Sequence, residues 1–191
     1  RDSHYTSNNT LFGTQFHHLP DSGGKPRVVD ASSDICGAKI DVSEHDLIYA
    51  GAQKNLGPSG VTVVILSPWA SSRRKEGLPT MLDYQTHISK GSMFNTPNTF
   101  GIFVLDRVLA WVERNGGLEG AIGRNSEKSG VLYEILDSSD FWRPHADPGC
   151  RSMMNVTWRL ADESLEQVFL DEAGDSGCLL YTSPSPRDLR L

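Results

Sequence analysis

Leu47-Ile48-Tyr49-Ala50-Gly51-Ala52-Gln53-Lys54-Asn55-Leu56-Gly57-Pro58-Ser59-Gly60-Val61-Thr62-Val63-Val64-Ile65-Leu66 holds two apolar runs around a stretch of small residues. The runs Leu47 to Ala50 and Val61 to Leu66 are bounded by Gly and Pro and suit a buried pleated surface, so they predict two strands. Gly51 to Gly60, with Pro58 inside it, predicts the tight loop that joins them in one sheet. Loops held by a rigid sheet are where chemistry is commonly carried.

Working outward, Arg27-Val28-Val29-Asp30 predicts a third strand that ends in an acid. From Asn98 to Asn115, Phe100, Phe103, Val104, Val108, Trp111 and Val112 recur at helical spacing, and Gly116-Gly117 stops the helix. A second helical pattern runs from about Leu118 to Leu136. Val156 to Leu160 reads as a strand, and Asp162 to Ala173 as a helix with Asp162 as N-cap. Strand runs mixed with helices imply an α/β architecture with a boundary near Gly116-Gly117.

The bulk properties exclude several classes. Over 191 residues the formal charge is −6, with 38% hydrophobic and 22% charged residues, so no broad basic surface for nucleic acid is indicated. No run approaches the roughly 18–20 apolar residues of a membrane helix. Arg1-Asp2-Ser3-His4 has no signal-peptide core, and a cytoplasmic protein is expected. Cys36, Cys150 and Cys178 are odd in number and widely spaced, which fits ordinary reduced thiols. The start without Met and the Ser/Pro-rich run Tyr181 to Leu191 suggest an internal fragment whose tail, 178–191, is non-native or disordered. His17-His18 lacks partners at ligand spacing, so no metal is expected. Asn8-Asn9-Thr10 and Asn155-Val156-Thr157 fit the glycosylation pattern and are read as accidental.

Lys54 stands out chemically. Small residues surround it and apolar strands flank it, which would bring backbone close to its amine and partly desolvate it, favouring the neutral form that attacks an aldehyde. The plain alternative is a solvated loop lysine. A Schiff base with pyridoxal 5'-phosphate (PLP) also needs an acid beside the pyridine nitrogen. Asp30 is the candidate, followed by the small residues Ala31-Ser32-Ser33; a turn-capping role is its plain alternative. The 24 residues between positions 30 and 54 accommodate a strand, a crossover and a second strand, which would put both at adjacent strand ends.

Several ordered stretches carry a resemblance: His4 to Gln15, Asp30 to Asp34, Asp41-Val42-Ser43, Ile48 to Gly60, Gly91 to Pro97, Trp111 to Gly117, Tyr133-Glu134-Ile135 and Arg151 to Val156. Together they resemble the phosphoserine aminotransferase family, PLP enzymes of fold type I in the class V aminotransferase group. The most specific is Ala50-Gly51-Ala52-Gln53-Lys54-Asn55-Leu56-Gly57-Pro58. The likeness covers roughly residues 1 to 173.

The resemblance implies part of the PLP-binding large domain over 1–116 and the beginning of a small C-terminal α+β domain over 117–177. It also implies the site. Lys54 would carry PLP, Asp30 would pair with the pyridinium nitrogen, Thr10 would lie near the ring hydroxyl and phosphate, and Gln53 would bind the phosphate. Asn95 and Thr96 would reach across a homodimer interface to the cofactor of the other subunit; read alone, they form a turn with Thr96 as a helix N-cap. The implied reaction passes an amino group from L-glutamate to 3-phosphohydroxypyruvate, giving O-phospho-L-serine. Some bacterial members also act in pyridoxine synthesis, which these residues leave open. The family's substrate-binding arginines and its stacking aromatic residue find no match, so the isolated chain is expected to be inactive and poorly soluble. Two alternatives stay open: another class V PLP enzyme, such as a serine–glyoxylate aminotransferase or a cysteine desulfurase, and a non-catalytic α/β piece.

Overall fold

Val29 and Ile48 are 0% and 2% exposed, and with Ala31 they form the centre of the core, against which Tyr5, Ile35 and Ile40 pack. Each of the two larger side chains contributes roughly 1.5–3 kcal/mol by leaving water. The computed structural model describes residues 1–73 and 75–178; the expected tail, apart from Cys178, lies outside them.

The core lies in a four-stranded sheet of order β1-β4-β5-β6, formed by β1 (Ser3–Thr6), β4 (Arg27–Asp30), β5 (Leu47–Gly51) and β6 (Thr62–Leu66). β1, β4 and β5 are parallel, with Thr6 opposite Asp30 and Asp30 opposite Tyr49. β6 returns antiparallel, placing Gly51 opposite Thr62. Three of the four strands read from the sequence therefore lie in this sheet, and β4 and β5 are neighbours, as their spacing allows. Strand β1 carries no apolar run. Ser3-His4-Tyr5-Thr6 lies at the sheet's edge and turns only Ser3 and Tyr5 partly inward, so period-2 hydrophobicity had little to register. Among the described residues, short ribbons β2 (Asn8–Asn9) with β3 (Thr14–Gln15), and β7 (Trp142–Pro144) with β8 (Trp158–Leu160), complete the strands.

Short helices α1 (Pro68–Ser72) and α2 (Tyr84–Ile88) precede α3 (Thr99–Arg114) and α4 (Gly117–Asp137). The cap of α3 corrects one expectation. Asn98, not Thr96, accepts the Gly101 N–H at 3.0 Å, because Pro97 separates Thr96 from the helix start. Phe100, Phe103 and Trp111 are 72%, 58% and 50% exposed, so the apolar face of α3 is largely uncovered by this chain. At the far end Asp162 caps as expected, accepting from Ser164 N at 3.0 Å, but it starts a 3₁₀ turn that leads into α5 (Glu166–Asp175). Trp142 meets Trp158 and Phe169 edge-on there.

A buried polar network ties these parts together. The Asp34 carboxylate, 1% exposed, accepts from Ser7 Oγ at 2.5 Å and Gln15 Nε2 at 3.1 Å. Asn8 Nδ2 donates to Ser33 Oγ at 2.9 Å and Asn155 Oδ1 at 3.0 Å, and Asn8 Oδ1 accepts from Ser152 Oγ at 2.5 Å. Desolvation pushes the Asp34 carboxyl above its ordinary value, against the opposing hydrogen bonds from Ser7 and Gln15. Above the ordinary carboxyl value of 3.8 the unfolded chain has released this proton while the folded one retains it. Asp34 therefore makes stability fall as pH rises from 3.8 through the raised folded value. Asp34→Asn keeps an acceptor oxygen and is expected to flatten that fall. Urea titrations across the acidic range check this, and an unchanged slope would refute it.

Candidate cofactor site

Three parallel strands end on the same edge of the sheet, and cross-links fix their ends. Ser7 follows β1 and its N–H donates to the Asp30 carbonyl at 3.0 Å. Ser32 follows β4, and its Oγ accepts the Gly51 N–H at 3.0 Å. Asp30, the last residue of β4, uses Oδ1 to accept the Ser32 N–H at 2.9 Å. This is the Asx turn that was its plain alternative, and it orients the carboxylate at the strand end. The crevice outside the carboxyl ends of parallel strands is where open α/β sheets bind ligands.

Lys54 lies three residues beyond β5. Ala52 N donates to Val61 O at 2.9 Å and Leu56 N to Ala52 O at 3.0 Å, closing the loop expected between the strands. Ala52 and Leu56, 0% and 2% exposed, occupy its interior positions. Gln53 and Lys54 are consequently exposed, so the desolvation expected of the Lys54 amine is absent in this chain. What the fold supplies instead is a partner. Lys54 Nζ donates to Thr10 Oγ1 at 3.1 Å, across 44 residues of sequence. A Cβ on Gly51 would come within 2.6 Å of Gln53 Oε1, so Gly51 leaves room for Gln53 to fold back over the end of β5.

Asn95 and Thr96 are not joined to this cluster by the hydrogen bonds described. Both are exposed, and Asn95 Nδ2 donates to Thr96 O at 3.2 Å. Asn8, Ser152 and Asn155, which buttress the Thr10 loop, were missed in the sequence reading. They lie within His4 to Gln15 and Arg151 to Val156, stretches that carry the resemblance, and Asn8-Asn9-Thr10 and Asn155-Val156-Thr157 were otherwise read only as accidental glycosylation patterns.

A family model, aminotransferase class V, matches residues 4–175. The chain belongs to that family. Among class V aminotransferases, it is 52% identical over 175 residues to a phosphoserine aminotransferase of Lysinibacillus sphaericus (strain C3-41), covering 91% of this chain and 48% of the relative. The chain spans about half the length of the curated relatives it matches. A phosphoserine aminotransferase solved in a study of radiation damage to its Schiff base superposes with a TM-score of 0.87 at 47% identity, over 91% of this chain and 49% of that one. A PLP-bound phosphoserine aminotransferase of Trichomonas vaginalis gives 0.85 at 28% identity, over 95% and 52%. The fold is that of the PLP-dependent aminotransferases, fold type I, and PLP is the cofactor at family level.

The residues fit that group chemically. An amine able to bond an aldehyde, a carboxylate fixed at a strand end, and a hydroxyl and an amide for phenolic or phosphate oxygens are gathered on one edge of the sheet. Among the described residues no helix is long and apolar enough to cross a membrane.

Proposed function

We propose that the protein transfers the amino group between L-glutamate and 3-phosphohydroxypyruvate, giving O-phospho-L-serine, with PLP carried on Lys54. The observation that carries this reading is the Lys54–Thr10 contact at the carboxyl ends of β1, β4 and β5, in a chain about half identical to phosphoserine aminotransferases. When bound, PLP supplies an electron sink for the negative charge that develops at the substrate Cα.

The chain's residues divide the remaining work. Asp30 keeps the ring nitrogen protonated. Thr10 and Gln53 hold the ring hydroxyl and phosphate. The Lys54 amine, free once substrate binds, would take the proton from the substrate Cα as general base and deliver it to the cofactor's C4′ carbon as general acid. Asn95 and Thr96, remote from Lys54 in hydrogen bonding, are assigned to the phosphate of the other subunit's cofactor in a homodimer. Residues 1–116 act as large domain and 117–177 as the beginning of the small one. The setting is serine biosynthesis in the cytoplasm.

Incubation of the purified protein with PLP, reduction with borohydride and peptide mass spectrometry test the cofactor assignment. The phosphopyridoxyl group is expected on the peptide containing Lys54; an unmodified Lys54, or labelling spread over other lysines, would sink it. Substrate class is tested separately. In the full-length protein, glutamate with 3-phosphohydroxypyruvate is expected to give phosphoserine, whereas turnover of serine with glyoxylate, or sulfide release from cysteine, would move the protein to another class V activity.

A further inference from the structure

The segment 151–157 seats the Thr10 loop through three separate contacts. Ser152 N donates to Gly13 O at 2.9 Å, Thr157 Oγ1 to Phe12 O at 2.8 Å, and Asn155 Nδ2 to Thr10 O at 3.0 Å. The third acts on the residue that receives the Lys54 amine. Asn155 is itself fixed from behind: its Oδ1 accepts from Asn8 Nδ2 at 3.0 Å, and its N–H donates to Ser152 Oγ at 3.2 Å. Those two anchors are 1% and 0% exposed. A continuous path thus runs from the buried network through Asn155 to the Thr10 backbone, and from the Thr10 hydroxyl to Lys54 Nζ.

The chemistry of this position requires an amide. The Thr10 carbonyl only accepts, so it must meet the NH₂ group, and the amide oxygen is then left for the Asn8 amide behind it. A carboxylate has no donor for Thr10, and a leucine of similar size has neither function. Fixing the Thr10 peptide also fixes the direction of its Cα–Cβ bond, and with it the hydroxyl that meets the amine.

We infer that Asn155 is a positioning residue that sets the place of the Lys54 amine by holding Thr10, without touching the amine itself. Its relevance to the cofactor rests on the reading of Lys54 proposed above.

The test reads Lys54 directly, in the cofactor-free protein, as the rate of its acylation by acetic anhydride followed by peptide mass spectrometry. Thr10→Ala removes the partner of the amine and is expected to speed labelling about threefold, the scale allowed by one hydrogen bond of modest net strength. Asn155→Ala is expected to give the same increase, the double variant no further increase, and Thr10→Ser the original rate. A purely structural role for Asn155 would lower thermal stability and leave Lys54 labelling unmoved. Asn155→Ser, which retains a hydroxyl near Asn8 and Ser152 but is too short for Thr10, serves if the alanine variant does not fold. The inference is overturned if the Asn155 variant labels at the original rate, if Thr10→Ala has no effect, or if the two effects multiply. Failure of PLP to become trapped on Lys54, with the labelling pattern as expected, would instead overturn the cofactor reading alone.

Discussion

Replacing Lys54 with alanine in the full-length protein is expected to remove the absorption band of lysine-bound PLP and to lower transamination by at least about 10⁴-fold, the upper range for one positioned acid–base group. Loss of the covalent anchor adds to that. The same substitution should barely alter stability. Lys54 is exposed, and its one described side-chain hydrogen bond is the contact with Thr10, so the change is expected to fall within about 0.5 kcal/mol of the original. The separation of the two readouts makes the experiment decisive: circular dichroism and melting unchanged, with spectrum and turnover lost, place the defect in chemistry. Retention of both the band and the turnover would remove Lys54 from the mechanism. Thr10→Ala is expected to be far milder, since it removes an orienting contact and leaves the amine in place.

The elements that position this lysine were legible for a simple reason. Leu47–Ala50 and Val61–Leu66 are buried by one sheet, and burial on a sheet writes apolar runs into the sequence. Asp30 and Lys54 were placed at adjacent strand ends by chain length alone, and β4 does pair with β5. Thr10 was reached only through family resemblance, because a threonine in a polar loop carries no period. The network of Asn8, Ser152 and Asn155 was invisible for a related reason. Its contacts to Asn8 join residues 144 and 147 positions apart, and polar side chains that satisfy one another across a fold leave no local pattern. The exposure of Lys54 was misjudged because small neighbours were taken to mean enclosure. In this loop, Ala52 and Leu56 claim the interior and turn the lysine outward.

Gly13 and Gly23 offer a comparison in which backbone strain and close approach separate. Both adopt positive φ, +66° and +58°, so alanine at either costs about 1 kcal/mol for the left-handed conformation. Around Gly23 nothing lies within 4 Å of an added Cβ, and the cost should stop there. At Gly13 the added atom would come within 2.5 Å of Thr157 Oγ1 and 3.3 Å of the Asn155 carbonyl. Thr157 cannot swing away without abandoning Phe12 O, and the Asn155 carbonyl is backbone. Gly13→Ala is therefore expected to cost about 3 kcal/mol, adding a lost hydrogen bond and a displaced segment to the strain. Urea unfolding of the two variants measures the difference, and equal costs would show that the approach of 151–157 to the Thr10 loop is not tight. Because the displaced segment carries Asn155, Gly13→Ala should also speed Lys54 acylation, whereas Gly23→Ala should not. Gly13 would then be required for what its small size admits: a polar strap close enough to hold the loop that meets the lysine.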